Sequence, residues 1–479
     1  IREFDVRIDG AAGSDPVFEK LLADPGIASG DVLHHGEYEK LRNRLLSLAQ
    51  QRGYFDAAIS RSRVAVNATA GSADIALHLD SGRRFQFGDL RFDETLVSAE
   101  LLEALRTFQP GEPYARKQIR AFQEQLQRTG YFSAVLVEPM RPEAAAGRIP
   151  IDVSLHPAKR HSIDAGIGYS TDTEGRVSLA WRTPRVNRFG HSQQTRLVYS
   201  AINPSMRINY TIPLTHPLDD LLQLSARVEE NEFGDLDSEQ REVGVRRERR
   251  RGDWLTGVSL RALEESWEQL GTDNREEYLL FGGSLSRRDQ RGPLVDPSRG
   301  LSQLYTAEVA SRELGSAVDL VRATARLRYV LTPLPRHRLV SRAELGIAEV
   351  LGGDRADLAP SLGFFAGGSE SLRGFGYQSI GNEIEAQRSD GRTQSFVVGG
   401  DRLAVMSLEY QYYVTDTWRG ALFADGGDAF DEGNFDWNYG AGFGVHYLSP
   451  VGAIRLELAR DISEDDPGWR LHLNIGAEF

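Results

Sequence analysis

The sequence predicts two small α/β modules followed by a 16-stranded antiparallel transmembrane β-barrel. Three observations carry this expectation. A repeat occupies the first third of the chain, helical periodicity fades after His156-Pro157, and sixteen strand-like runs with alternating connections fill the rest up to Phe479.

The repeat is GEYEKLRNRLLSLAQQRGYFDAAI at 36–59 and GEPYARKQIRAFQEQLQRTGYFSAVL at 111–136. Each copy opens on Gly-Glu, runs through an amphipathic helix and closes on Gly-Tyr-Phe before an extended segment. Gly53 and Gly130 fall where a helix C-cap needs positive φ, and their separation of 77 residues (130 − 53) sets the unit length. The order strand, helix, helix, strand, strand is met by 3–8, 16–22, 38–51, 59–66 and 74–79. In the second unit it is met by 85–92, 98–107, 116–129, 132–139 and 148–155. Modules are therefore expected at 1–81 and 82–158, and the barrel at 159–479. Tyr54, Phe55, Tyr131 and Phe132 are assigned to the module cores.

Composition narrows the function classes. The 479 residues exceed one ordinary domain. The absence of cysteine excludes disulfides, thiolate metal sites and a cysteine nucleophile. A net charge of −13, gathered in loop-like clusters, speaks against nucleic acid, whose phosphates call for a basic face. No run approaches the roughly 18 consecutive apolar residues of a membrane-spanning helix. A transmembrane barrel shows no such run either, because each strand points only every second residue at lipid. With Ile1 first and no signal-peptide pattern, the chain reads as mature or truncated at its start.

Strand starts fall near 163, 175, 191, 205, 220, 240, 253, 278, 301, 317, 336, 400, 417, 435, 451 and 469, an even count as in single-chain bacterial barrels. In the last run, Trp469, Leu471, Leu473, Ile475, Ala477 and Phe479 alternate with Arg470, His472, Asn474, Gly476 and Glu478. One face suits lipid and the other a wet interior. A soluble sandwich could alternate in the same way, but the connections favour the barrel. After even strands they are compact turns, such as PLTHP at 213–217, DPSRG at 296–300 and SPVG at 449–452. After odd strands they are longer or acidic, as in ENEFGDLDSE at 230–239 and EESWEQLGTDNREE at 264–277. Short periplasmic turns and long outer loops follow that rule. Open edges are intolerable in hydrocarbon, so the sheet must close or nearly close.

The longest connection, about 350–398, contains FFAGGSESLRGF at 364–375. Its glycines permit tight reversals and close approach to other backbone. Arg373 there needs an acidic or carbonyl partner. Ala404, Met406, Leu408, Tyr410 and Tyr412 form an outward apolar series, so Glu409 faces the lumen. Trp418, Gly420, Leu422 and Ala424 do the same on the next strand, leaving Phe423, Asp425 and Gly427 inside. A loop folded into the lumen sets Arg373 against both acids, and the latch set is Arg373, Gly374, Phe375, Glu409, Phe423, Asp425 and Gly427. The plainer alternative is a surface arginine paired locally with Glu370.

Four stretches, FFAGGSESLRGFGYQSI at 364–380, SLEYQYYVTDTW at 407–418, FADGG at 423–427 and SPVGAIRLELA at 449–459, give the chain its resemblance to a known family. It resembles the outer-membrane assembly superfamily, in which polypeptide-transport-associated (POTRA) modules precede a sixteen-stranded barrel with an Arg-Gly-Phe/Tyr loop. Nearly the whole chain is covered, and the likeness is greatest to the TamA branch, the barrel subunit of the translocation and assembly module. That branch usually carries three POTRA modules, against two here.

The resemblance implies a barrel in the outer membrane of a Gram-negative bacterium, with its POTRA modules in the periplasm. It implies that Arg373 packs against Asp425 and Glu409, and that Phe479 belongs to a recognition signal for barrel insertion. The implied activity is that of an insertase or translocase for β-barrel and autotransporter-type proteins, working at a weak seam between first and last strands. Gly166, Gly168, Gly476 and Phe479 mark that seam, glycine having no side chain to pack. Implied partners are a TamB-like inner-membrane-anchored periplasmic protein, unfolded outer-membrane protein substrates and outer-membrane lipid. A two-partner-secretion polypeptide transporter is the alternative. No G-x-S-x-G, convincing triad or histidine metal cluster is read from the sequence, so neither enzyme chemistry nor a cofactor or metal is expected.

Overall fold

The computed structural model describes residues 1–93, 96–269, 271–293, 296–387, 393–449, 452–463 and 468–476. The chain divides into two compact units: Ile1–Lys159 with Asn187–Gly190, and Arg160–Val186 with His191–Phe479.

In the first unit, β1 (Glu3–Asp9), α1 (Pro16–Ala23), α2 (His35–Arg52), β2 (Ala58–Asn67) and β3 (Ser72–Asp80) make one module. β3 lies centrally, parallel to β1 and antiparallel to β2. Its alternation sends Ala73, Ile75, Leu77 and Leu79 inward, where Ile75, Leu77 and Leu79 meet Leu41, Leu45 and Ala49 of α2. Gly53 ends α2 at φ 88°, the left-handed C-cap. The second module repeats the plan with β4 (Gln86–Phe92), α3 (Ala99–Glu103), α4 (Arg116–Arg128), β5 (Phe132–Pro139) and β6 (Arg148–Pro157). Its sheet order is β4-β6-β5. The helix expected over 98–107 shrinks to the five residues of α3, because Leu105 and Phe108 reach the core from irregular chain beyond it.

Tyr54, Tyr131 and Phe132 are buried as expected, but Phe55 is not in its own core. Its ring lies 4.9 Å from Tyr114 and 5.8 Å from Phe85 of the second module, under Arg141 at 4.4 Å. In the turn between Gly53 and β2, Tyr54 enters its own core while Phe55 faces the second module, so the pair splits between two packing surfaces.

The second unit is a closed sixteen-stranded antiparallel barrel. Its strands are β7 (Ser162–Ser170), β8 (Glu174–Thr183), β9 (Ser192–Ser200), β10 (Ser205–His216), β11 (Asp220–Phe233), β12 (Leu236–Arg251), β13 (Trp254–Gln269), β14 (Thr272–Arg291), β15 (Arg299–Ala310), β16 (Asp319–Leu334) and β17 (His337–Gly352). A two-stranded hairpin, β18 (Asn382–Gln387) and β19 (Thr393–Val398), stands apart within the long loop and was not foreseen in the sequence. The wall resumes with β20 (Arg402–Tyr413), β21 (Trp418–Phe430), β22 (Asn438–Ser449), β23 (Gly452–Asp461) and β24 (Trp469–Gly476). Outward positions are apolar and exposed, with Ile167 88 % and Val258 71 % accessible, as a lipid-facing belt requires.

Two sequence expectations are corrected. The acidic stretches at 230–239 and 264–277 are not loops. β11 and β12 pair as far as Phe233↔Leu236, and β13 and β14 as far as Gln269↔Thr272. Polar side chains on both faces are compatible with a ladder that continues past the hydrocarbon, and cross-strand pairs such as Arg275–Glu264 at 2.7 Å join them. Nor is the interior uniformly wet: Leu263, Trp267, Tyr278, Leu280, Leu403 and Val405 form a buried apolar cluster on the inner wall.

Asp15 caps α1 by accepting from the Val17 N–H at 3.2 Å, and receives Arg52 at 2.9 Å and the Tyr54 hydroxyl at 3.1 Å. Burial pushes its carboxyl up, but hydrogen bonds from Arg52 and Val17 outweigh that and hold it below the ordinary value. A depressed carboxylate stabilises above its unfolded value and loses that contribution as acid protonates it. Asp15→Ala should cost about 1–3 kcal/mol in a urea titration at pH 7. The difference from wild type should shrink below about pH 4.

Candidate functional site: loop latch and barrel seam

β17 releases the chain at Gly352 and β20 recovers it at Arg402. Between them the loop folds inward, closed on itself by bridges Phe364↔Gly400 and Ala366↔Ile380. Leu362, Phe364, Ala366, Leu372 and Ile380 complete the apolar cluster of the inner wall. Polar anchors fix the same segment. The Ser361 N–H donates to Glu265 Oε1 at 3.1 Å, and Arg322 Nε donates to the Leu362 carbonyl at 3.0 Å.

Arg373 is 1 % exposed. Its Nε and Nη2 donate to the two Asp425 oxygens at 2.7 and 2.8 Å, a bidentate fork. Nη1 donates to Glu409 Oε2 at 2.6 Å and Glu457 Oε1 at 3.2 Å, and Nη2 also reaches Ser407 Oγ at 3.1 Å. All five guanidinium N–H groups thus find acceptors. The Phe423 ring lies under the guanidinium carbon at 3.4 Å, and the Arg373 backbone N–H donates to Asp425 at 3.1 Å. Register places the set: Glu409 pairs with Phe423 and Ser407 with Asp425, so all four point inward from adjoining strands.

Gly374 has φ 102°, and a Cβ there would lie 2.9 Å from the Asp461 backbone nitrogen on β23. Gly440 on β22 is the matching requirement in the wall, since its Cβ would sit 1.8 Å from the Arg373 carbonyl. Phe375 is half-buried against the apolar cluster. Gly427 belongs to the wall: at φ 152° its Cβ would lie 2.1 Å from the Ala404 carbonyl of β20. Glu370 pairs with Arg342 at 3.2 Å and with Arg455, not with Arg373.

Sequence reasoning missed Glu457, Ser407 and His446. For Glu457 the signal was present, because Ile454, Leu456 and Leu458 alternate with Arg455 and Glu457. Glu409, His446 and Glu457 each offer one ligand atom, all within 4.8 Å of one another, a cluster that was not expected. The Arg373 guanidinium bonds to both carboxylates, so it already supplies the positive charge a cation would bring.

Among the described residues, the seam joins β24 to β7 through two residue pairs, Asn474↔Ser170 and Ile475↔Tyr169. The shortest of the other contacts between neighbouring wall strands, β9 with β10, has seven. Gly166 and Gly168 pair with Ser178 and Arg176 of β8 and Gly476 with Ala453 of β23, and a Cβ on Gly168 would lie 3.3 Å from the Ile475 carbonyl across the seam. Phe479 lies outside the described residues.

Arg373→Ala leaves three buried carboxylates without their cation and should cost about 3–5 kcal/mol. Arg373→Lys should fall between it and wild type, since an ammonium offers three donors and no planar fork. The temperature at which the folded barrel band is lost in semi-native electrophoresis reads both. A wild-type transition for the alanine variant would mean that the ion pairs contribute nothing.

The Omp85 superfamily domain matches residues 161–479, and the POTRA family, described as surface antigen variable number repeat, matches 4–82 and 85–158. Outer membrane protein assembly factor BamA of Neisseria meningitidis serogroup B is 21% identical over 486 residues, spanning 86% of this chain and 59% of that protein. The chain thus covers less than two thirds of that relative's length. The crystal structure of BamA from Haemophilus ducreyi lacking POTRA domains 1–3 superposes with TM-score 0.83 at 16% identity, covering 100% of both chains. CdiB from Acinetobacter baumannii gives 0.55 at 13% identity, covering 99% of this chain and 90% of that one. These likenesses speak to the fold; the domain matches go further, and the chain belongs to the Omp85 superfamily, with its barrel in the outer membrane and its POTRA modules in the periplasm.

Proposed function

We propose that this protein assists the assembly of other β-barrel proteins in the outer membrane by opening the seam between β24 and β7. The observation that carries the reading is the closure through two pairs among the described residues, in a wall whose other described neighbours are joined by seven pairs or more. Partial separation exposes strand edges on which an incoming strand can pair, which is β-augmentation within a bilayer. Substrates are unfolded outer-membrane proteins, including autotransporter-type chains. The latch set holds the loop inside the barrel and performs no bond chemistry.

Within the superfamily the loop and strand motifs favour the TamA branch, with a TamB-like inner-membrane-anchored periplasmic partner. Export of a polypeptide through the lumen, as in two-partner secretion, is the weaker reading, because the loop and its apolar cluster occupy the inner wall.

Two experiments follow. Tyr169→Cys with Ile475→Cys places a cysteine pair across the seam of a cysteine-free chain, and oxidation should stop substrate assembly while reduction restores it. Full assembly with the seam locked would defeat the proposal. Affinity capture with the full-length protein from envelope extract should recover a large periplasm-spanning β-rich protein; recovery of lipoproteins instead would favour a general BamA-type assembly factor.

A further inference from the structure

The seam ladder is short, yet polar side chains gather at one end of it. Asp172 follows β7 in the turn to β8, and its side chain is 10% exposed. Ser369 belongs to the in-folded loop and is 4% exposed. The Ser369 N–H and Oγ both donate to Asp172 Oδ2, at 2.7 and 2.6 Å. From the other edge, Asn474 Nδ2 of β24 donates to the same Ser369 Oγ at 3.2 Å. One hydroxyl therefore bonds to the first-strand side and the last-strand side at once. His472 of β24 adds a second crossing, with Nδ1 3.6 Å from Asp172 Oδ1 and Nε2 accepting the Gly374 N–H at 3.3 Å. Beyond the ladder, the Thr171 N–H donates to the Leu473 carbonyl at 3.1 Å and the Leu473 N–H to Thr171 Oγ1 at 3.4 Å.

Local backbone supports the arrangement. Gly368 has φ 100°, and a Cβ there would lie 3.0 Å from Asp172 Oδ2 and 3.3 Å from Tyr377. Only glycine before Ser369 lets the loop present an N–H and a hydroxyl to one carboxylate oxygen.

We propose that Asp172 and Ser369 are positioning residues forming a clasp, through which the in-folded loop holds the first and last strands together. Among the described residues the ladder supplies two pairs, and the loop adds polar connections to both edges at its end. Withdrawal of the loop tip removes Ser369 from Asp172 and Asn474 together, and the same movement takes Gly374 from His472. Loop position thereby sets how readily the strands part. The clasp is a property of the free protein; its consequence for assembly rests on the seam reading given above.

The test is the rate of disulfide trapping in the full-length Tyr169→Cys, Ile475→Cys protein, purified into phosphatidylcholine nanodiscs without substrate. Ser369→Ala and Asp172→Ala should each slow trapping about fivefold or more, the equivalent of one lost hydrogen bond. Asp172→Asn, which keeps an acceptor for Ser369, should fall between them and the parent. Ser395→Ala, in the β19 hairpin, should leave the rate unchanged. Parental rates in both alanine variants would overturn the clasp, as would equal slowing by Ser395→Ala. If Ser369→Ala slows trapping while assembly proceeds at the parental rate, the clasp stands and the insertase reading fails.

Discussion

One buried guanidinium organises the interior of this barrel. Arg373 draws a carboxylate from each of three strands, Glu409 on β20, Asp425 on β21 and Glu457 on β23, so a single loop side chain is tied to three wall strands. A cation this deep needs compensation, and each acid needs it in return, so the arrangement stands or falls as a unit. The network continues down the wall. Gln411 donates to Glu409, and its oxygen accepts from Arg338 at 2.6 Å and Arg419 at 2.8 Å. Arg419 then reaches Asp296 at 3.1 Å, in the turn between β14 and β15.

Apolar packing completes what charge begins. Phe364 and Leu372 of the loop bury against Leu280 and Leu403 of the wall, so the loop has a small core of its own inside the barrel. The same loop reaches both edges of the seam. Stability is thus distributed unevenly around the wall: long ladders through β11 to β17, and a closure that leans on side chains from a different segment.

Much of this was legible in the residues. Alternation in Trp469–Ile475 and in Ala404–Tyr412 identifies strands and their faces, because a period of two leaves no freedom in side-chain direction. The same alternation puts Glu409 and Asp425 on the lumen side. What escaped has physical causes. The hairpin β18–β19 lies off the wall, where no lipid face imposes alternation. Strand extensions through 230–239 and 264–277 are polar on both faces and so read as loop. Glu457 obeys the alternation rule but sits 84 residues from Arg373, and only barrel closure brings the two together. Phe55 follows Tyr54 in each rule of composition and yet packs on another module, because both lie in the turn before β2, where no strand or helix period fixes the direction of a side chain.

That displaced phenylalanine also bears on mechanics. Its ring is held between Tyr114, Phe85 and the Arg141 guanidinium, so rotation of one module against the other must first unstack an aromatic cluster. The joint between the modules is therefore stiff rather than slack.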